Sequence, residues 1–147
     1  MESNAAEQLT AIADARAAVA DRLVTPWWYH PALGALVAFD VVMMSFGNIV
    51  LMCVGCVVFL ALCVVLANAY RRMTGVWVSG FEAGRAGRWA GALGALVGVS
   101  LAASWVLGSY TDLRWVAWLI AAVDVVATIV LGRRFDAALR AQLRAAG

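Results

Sequence analysis

Hydrophobic positions run almost unbroken through four stretches of the chain, 27–46, 49–70, 89–110 and 115–132, and polar positions gather between and beyond them. A hydrocarbon core ~30 Å thick takes roughly 20 apolar residues as a helix, with a range of about 17–25, so each stretch is long enough to span. Only Gly47 and Asn48 separate the first pair, and only 111–114 the second. The pattern therefore predicts an all-α membrane protein with four transmembrane helices in two hairpins. Trp27, Trp28, Tyr29, Tyr70, Trp89, Tyr110 and Trp115 fall at the ends of these stretches, where an interfacial aromatic belt belongs.

The polar flanks carry a second, helical period. Leu9, Ile12, Val19 and Leu23 repeat in steps of three or four with Arg16 completing the stripe, so 1–25 is expected to be an amphipathic helix at the interface. Thr25-Pro26 looks like an N-cap followed by proline at the first helical position, and Pro31 predicts a kinked first turn or an irregular elbow over 27–30. After the last span, Phe135, Leu139 and Leu143 fall four apart beside Asp136, Arg140 and Arg144, which predicts an amphipathic helical tail over 133–147. The N-terminal segment up to residue 26 has four acids against two arginines, and the tail four arginines against one acid, so the two are expected to pack together. The transmembrane domain is then 26–132, with a loop at 71–88.

Composition agrees with this pattern and adds an orientation. The chain is 65% hydrophobic, too apolar to cover a water-soluble globule of 147 residues, and its mean hydropathy is +0.87. All eleven basic residues are arginines, and only Arg114 lies on the side of the short hairpin turns. By the positive-inside rule both termini and the 71–88 loop are cytoplasmic, in a multi-pass protein of the plasma membrane. A charged, alanine-rich first segment does not match a cleavable signal.

Two acids interrupt the apolar runs. Asp40 and Asp124 lie in the first and fourth spans with no Arg or Lys in either. An ionised carboxylate in hydrocarbon costs several kcal/mol, so each must be protonated, paired, hydrated or holding a cation. At ~1.5 Å per residue they sit at similar depth, roughly 10 and 14 Å from the outer helix ends, and Ser100, Ser104 and Thr128 are the hydroxyls placed to complete a shared site. Ala32 through Asp40 aligns with Ala92 through Ser100 at six of nine positions, as a parallel duplication of hairpins would, although residues this common in membrane helices match readily by chance.

The third span carries Gly91, Gly94, Gly98 and Ala102 on one face, a small-residue spacing that lets helices approach closely, within the chain or between copies in a homo-oligomer. Cys53, Cys56 and Cys63 lie in the second span, where an apolar setting suppresses the reactive thiolate. With Met43, Met44 and Met52 they make a soft-sulfur cluster of the kind that holds Cu(I), but these are ordinary packing residues, and no metal or cofactor is expected. The loop combines Trp77 and Phe81 with Arg71, Arg72, Arg85 and Arg88, and the tail adds Arg133, Arg134, Arg140 and Arg144; these are candidate contacts for anionic lipid or a protein partner.

A single histidine, His30, and no nucleophile–base arrangement exclude no enzyme outright but supply no catalytic constellation. The expected function is therefore non-enzymatic: an accessory, scaffold or regulatory subunit that docks a cytoplasmic or membrane partner, with no nucleic acid. The alternative is a small oligomeric transporter or channel linked to protons or cations through Asp40 and Asp124.

Overall fold

In the computed structural model, which describes residues 2–22, 25–75 and 84–145, the chain is helical throughout, with no strand among those residues. The elements are α1 (Glu2–Arg22), α2 (Tyr29–Met44), α3 (Ile49–Thr74), a 3-10 turn (Gly84–Ala86), α4 (Gly87–Tyr110) and α5 (Val116–Ala145). Three helices, α3, α4 with its 3-10 turn, and α5, are long and apolar enough to cross a membrane; α2 is equally apolar but has 16 residues. The last apolar stretch and its tail are one continuous helix, α5, as the unbroken Phe135, Leu139, Leu143 period predicts. That row packs on Ala86 of the 3-10 turn, where Gln142 accepts a hydrogen bond from the Ala86 N–H at 3.2 Å.

The shortest of these helices is the hub. α2 packs against α3, α4 and α5, and α1 rests on α5. Close approach to α2 is made by glycines. A Cβ at Gly34 would lie 3.2 Å from the Val125 backbone of α5, and one at Gly55 of α3 would lie 2.9 Å from Met43 Cβ. Cβ atoms at Gly108 and Gly132 would collide with the Ser45 carbonyl and the His30 ring. These contacts also fix the register. Ser45, just past the end of α2, meets the last turn of α4, and Thr25 and His30 at its start line cavities together with Asp136 and Arg140 of α5.

The interior is polar and the exterior apolar. Buried side chains among the described residues are Val37, Val41, Ala86, Ala117, Ala121 and Leu139 on the apolar side, and His30, Asp40, Ser45, Ser100, Ser104, Asp124 and Thr128 on the polar side. Large residues such as Val57, Leu60, Val99, Trp118 and Val126 are more than half exposed. A water-soluble bundle buries such residues. One in lipid has no hydrophobic drive between helices and relies on close packing of small residues and interhelical hydrogen bonds.

Several sequence expectations are corrected. The Thr25-Pro26 cap does not form; 26–29 is a turn closed by the Tyr29 N–H to the Pro26 carbonyl at 3.0 Å, and α2 starts at Tyr29. Pro31 thus falls in the first turn, where its missing N–H costs no helical hydrogen bond. Leu9 and Ile12 on α1 are 68% and 47% exposed, so this end of the stripe is not covered by the chain itself. Among the described residues, Gly91, Gly94 and Gly98 pack against no other helix: nothing lies within 4 Å of a Cβ at any of them, and Ala102 is exposed. α4 instead presents Ser100, Ser104 and Gly108 inward, about a third of a turn away. The aligned pair Gly34 and Gly94 therefore differ in setting, although Asp40 and Ser100 are both buried. Arg16's side chain, Val19's, and Leu23, Trp77 and Phe81 lie outside the described residues.

Candidate functional site

Helix α5 turns one row of residues into the bundle: Ala117, Ala121, Asp124, Thr128, Gly132 and Leu139. Below Ala121 that row is polar. Asp124, 1% exposed, accepts a hydrogen bond from the Ser100 hydroxyl at 2.9 Å, while its Oδ2 has no partner. One turn toward the C-terminus lies Thr128, fully buried with its Oγ1 unpartnered. One turn further, position 132 has no side chain, and the His30 ring of α2 fills the space. His30 Nδ1 also lacks a partner, but Nε2 lies 2.8 Å from Asp136 Oδ2, one turn beyond Gly132. Ser104, one turn above Ser100 on α4, is the other buried hydroxyl without a partner.

These groups form a file. Residues 124, 128, 132 and 136 share one helix face at ~6 Å intervals, so the polar atoms extend from mid-bundle to the end of α2 where Thr25 lies. A spacing of ~6 Å is one water between successive polar groups. Native interiors leave few buried polar atoms unsatisfied, and such atoms mark an absent water, an ion or a functional role. The donor set is oxygen throughout the mid-bundle part, one carboxylate and three hydroxyls, a hard set suited to a proton, a hydrated proton or a small cation. Among the described residues no three His, Cys, Asp or Glu side chains gather as a metal site, and the three cysteines are free.

The structure unites Asp124 with Ser100 and turns Ser104 and Thr128 into the same interior. Asp40 belongs to a different contact. It is 2% exposed, but its carboxyl points at α3, with Oδ1 3.0 Å from the Cβ position of Gly55 and no hydrogen-bond partner. No hydrogen bond joins the two acids.

What the sequence missed is at the other end of the file. His30 and Asp136 are 106 residues apart, and nothing in either segment names the other. Around them are two adjoining cavities of about 200 and 280 Å³. Tyr29 and Tyr70 stack at 5.0 Å between centroids, and the guanidinium groups of Arg88 and Arg134 lie 5.4 and 6.0 Å from the Trp89 ring. Arg140 donates from Nε to the Asp136 carbonyl at 3.3 Å, and Arg71, Arg72, Arg85, Arg133 and Arg144 are exposed. The chain matches no protein-family model, no curated protein and no solved structure.

Proposed function

We propose that the chain is a four-span membrane protein with cytoplasmic termini that works without catalysis, as a regulatory or accessory subunit whose interior takes up a proton or a small cation from the cytoplasmic side. The observation that carries this is the polar file from Ser100 and Asp124 through Thr128 and His30 to Asp136, with an unpartnered atom at each of its interior steps. Four spans are supported by register: α2 starts beside Asp136 of α5 and ends beside Gly108, in the last turn of α4. The arginine distribution supports the orientation. A group that binds the folded state alone stabilises it, so loading the file shifts the helix-packing equilibrium. A partner that rests on the cytoplasmic surface, where Leu9 and Ile12 of α1 are uncovered, would sense that shift.

The test is thermal unfolding of the purified protein in mild detergent across acidic to neutral pH and with added monovalent cation, beside Asp124→Asn and Asp40→Asn. The expected result is a pH- or cation-dependent midpoint that Asp124→Asn flattens. A wild-type midpoint insensitive to both would reject the proposal. Asp40→Asn reports whether the second acid contributes independently.

A transporter or channel is the second reading, favoured by the unpartnered Gly91, Gly94 and Gly98 face, against which a second copy's backbone can approach. It predicts pH-dependent flux in liposomes and intersubunit crosslinks that Gly98→Leu abolishes. Because nothing among the described residues lies within 4 Å of a Cβ on that face, Gly98→Leu should leave the monomer's fold intact, and crosslinking unchanged by it would remove this reading.

A further inference from the structure

The two cavities at the start of α2 share Thr25, His30, Asp136 and Arg140, and they differ in character. The first, about 200 Å³, is walled by Leu33, Leu93, Leu131, Phe135 and Leu139, with Trp89 at its side. The second opens between Thr25–Trp27 and α5 and is lined by Arg133 and Arg140. One slot is therefore oily and the other cationic, with the His30–Asp136 pair between them. We propose that together they bind an amphiphile with an anionic head and an acyl chain: the head at Arg133 and Arg140, the first part of the chain among the leucines.

Five observations select that class. Four leucines, Leu33, Leu93, Leu131 and Leu139, form the aliphatic part of the wall beside Phe135, and a cavity of about 200 Å³ is several water volumes, enough for a short acyl stretch and too small for a whole lipid. His30 is more than nine-tenths buried, lines both cavities and keeps an unpartnered Nδ1, so a polar group is built into the junction. The mouth has two arginines against Asp136, which already pairs with His30. An organic cation in an aromatic cage fits less well, because the chain's own Arg88 and Arg134 already lie against Trp89. The slot also sits at the end of α2 where the interfacial aromatics Tyr29, Tyr70 and Trp89 collect, the depth of a headgroup. This inference does not depend on the polar file holding a proton or cation.

Trp89 makes the site observable. Bromine on an acyl chain quenches a neighbouring indole, and the difference between wild type and Trp89→Phe isolates that ring from the other six tryptophans. The full-length protein in mild detergent is titrated with a dibrominated long-chain fatty acid, brominated phosphatidylglycerol, brominated phosphatidylcholine and a brominated alkyltrimethylammonium. The expected result is saturable, Trp89-dependent quenching by one or both anionic probes; the tighter of the two distinguishes a free fatty acid from a membrane lipid. Arg133→Gln and Arg140→Gln should each weaken it about tenfold, the worth of one charge-assisted contact. Leu93→Trp should block the chain with both arginines in place. Equal quenching by the zwitterionic or cationic probe, absence of a Trp89-dependent part, or affinity unmoved by both arginine changes would overturn the proposal.

Discussion

Gly132→Val expels the His30 ring from α5 and destabilises the bundle by about 1–3 kcal/mol, the usual cost of forcing extra methyl groups into a filled interior. The slot at position 132 exists only because glycine leaves it empty, and a Cβ there would overlap the imidazole. Since His30 cannot move without losing its 2.8 Å contact to Asp136, the substitution breaks the Asp136 end of the file as well as the packing. Two controls assign the effect. Gly94→Val, where nothing lies within 4 Å, should leave the unfolding midpoint in detergent nearly unchanged, and His30→Ala combined with Gly132→Val should recover part of the loss because the valine then occupies the vacated ring volume. If Gly132→Val unfolds at the wild-type midpoint, His30 is not seated as described and the file ends at Thr128.

The contrast between Gly132 and Gly94 also shows which parts of the molecule were legible in the sequence. Element existence was, because periodicity is local: the apolar runs became α2 to α5, and the four-residue repeat of Phe135, Leu139 and Leu143 carried α5 to its end. The mid-bundle polar residues were legible for a similar reason. Asp40, Ser100, Ser104, Asp124 and Thr128 stand out against apolar neighbours, and a polar group in such a helix turns inward wherever it can. Which glycines pack was not legible, because spacing defines a face without saying what opposes it. The regular Gly91, Gly94, Gly98 row is bare, while isolated Gly55, Gly108 and Gly132 make the close contacts. Pairing across the chain was equally hidden. His30 and Asp136 sit at the edges of two different apolar runs, where a histidine and an aspartate look like ordinary interfacial residues, and only the docking of α2 on α5 makes them partners.

The same docking explains why α2, the shortest of the bundle helices, organises it. A helix at the centre cannot meet three neighbours through large side chains at once, and here the approach is made by Gly34 on α2 itself and by Gly55, Gly108 and Gly132 on its neighbours. Close backbones leave little room for side-chain oxygens to find water. The polar residues that remain inside must therefore be bonded to each other, as Ser100 is to Asp124, or left ready for something small, as Thr128 and Ser104 are.

Asp124→Leu separates a structural use of that acid from a functional one, because the two uses predict opposite signs. In the wild type the Ser100–Asp124 bond contributes about 0.6 kcal/mol, the average for interhelical hydrogen bonds in a membrane bundle, and about 1.7 kcal/mol at most. Against it, Asp124 Oδ2 is a buried acceptor without a partner, which costs about 1–3 kcal/mol. Leucine keeps the branched four-atom skeleton in a somewhat larger volume, removes the unsatisfied oxygen, and leaves the Ser100 hydroxyl to bond back to its own helix carbonyl. The balance favours the variant, so Asp124→Leu should unfold at the wild-type midpoint or above it while losing every response to pH or cation. An acid that weakens the fold it sits in is kept for what it binds, and a gain in stability with loss of response is the signature of that arrangement. A loss of 2 kcal/mol or more would instead make Asp124 a structural tie between α4 and α5 and leave the file without a centre.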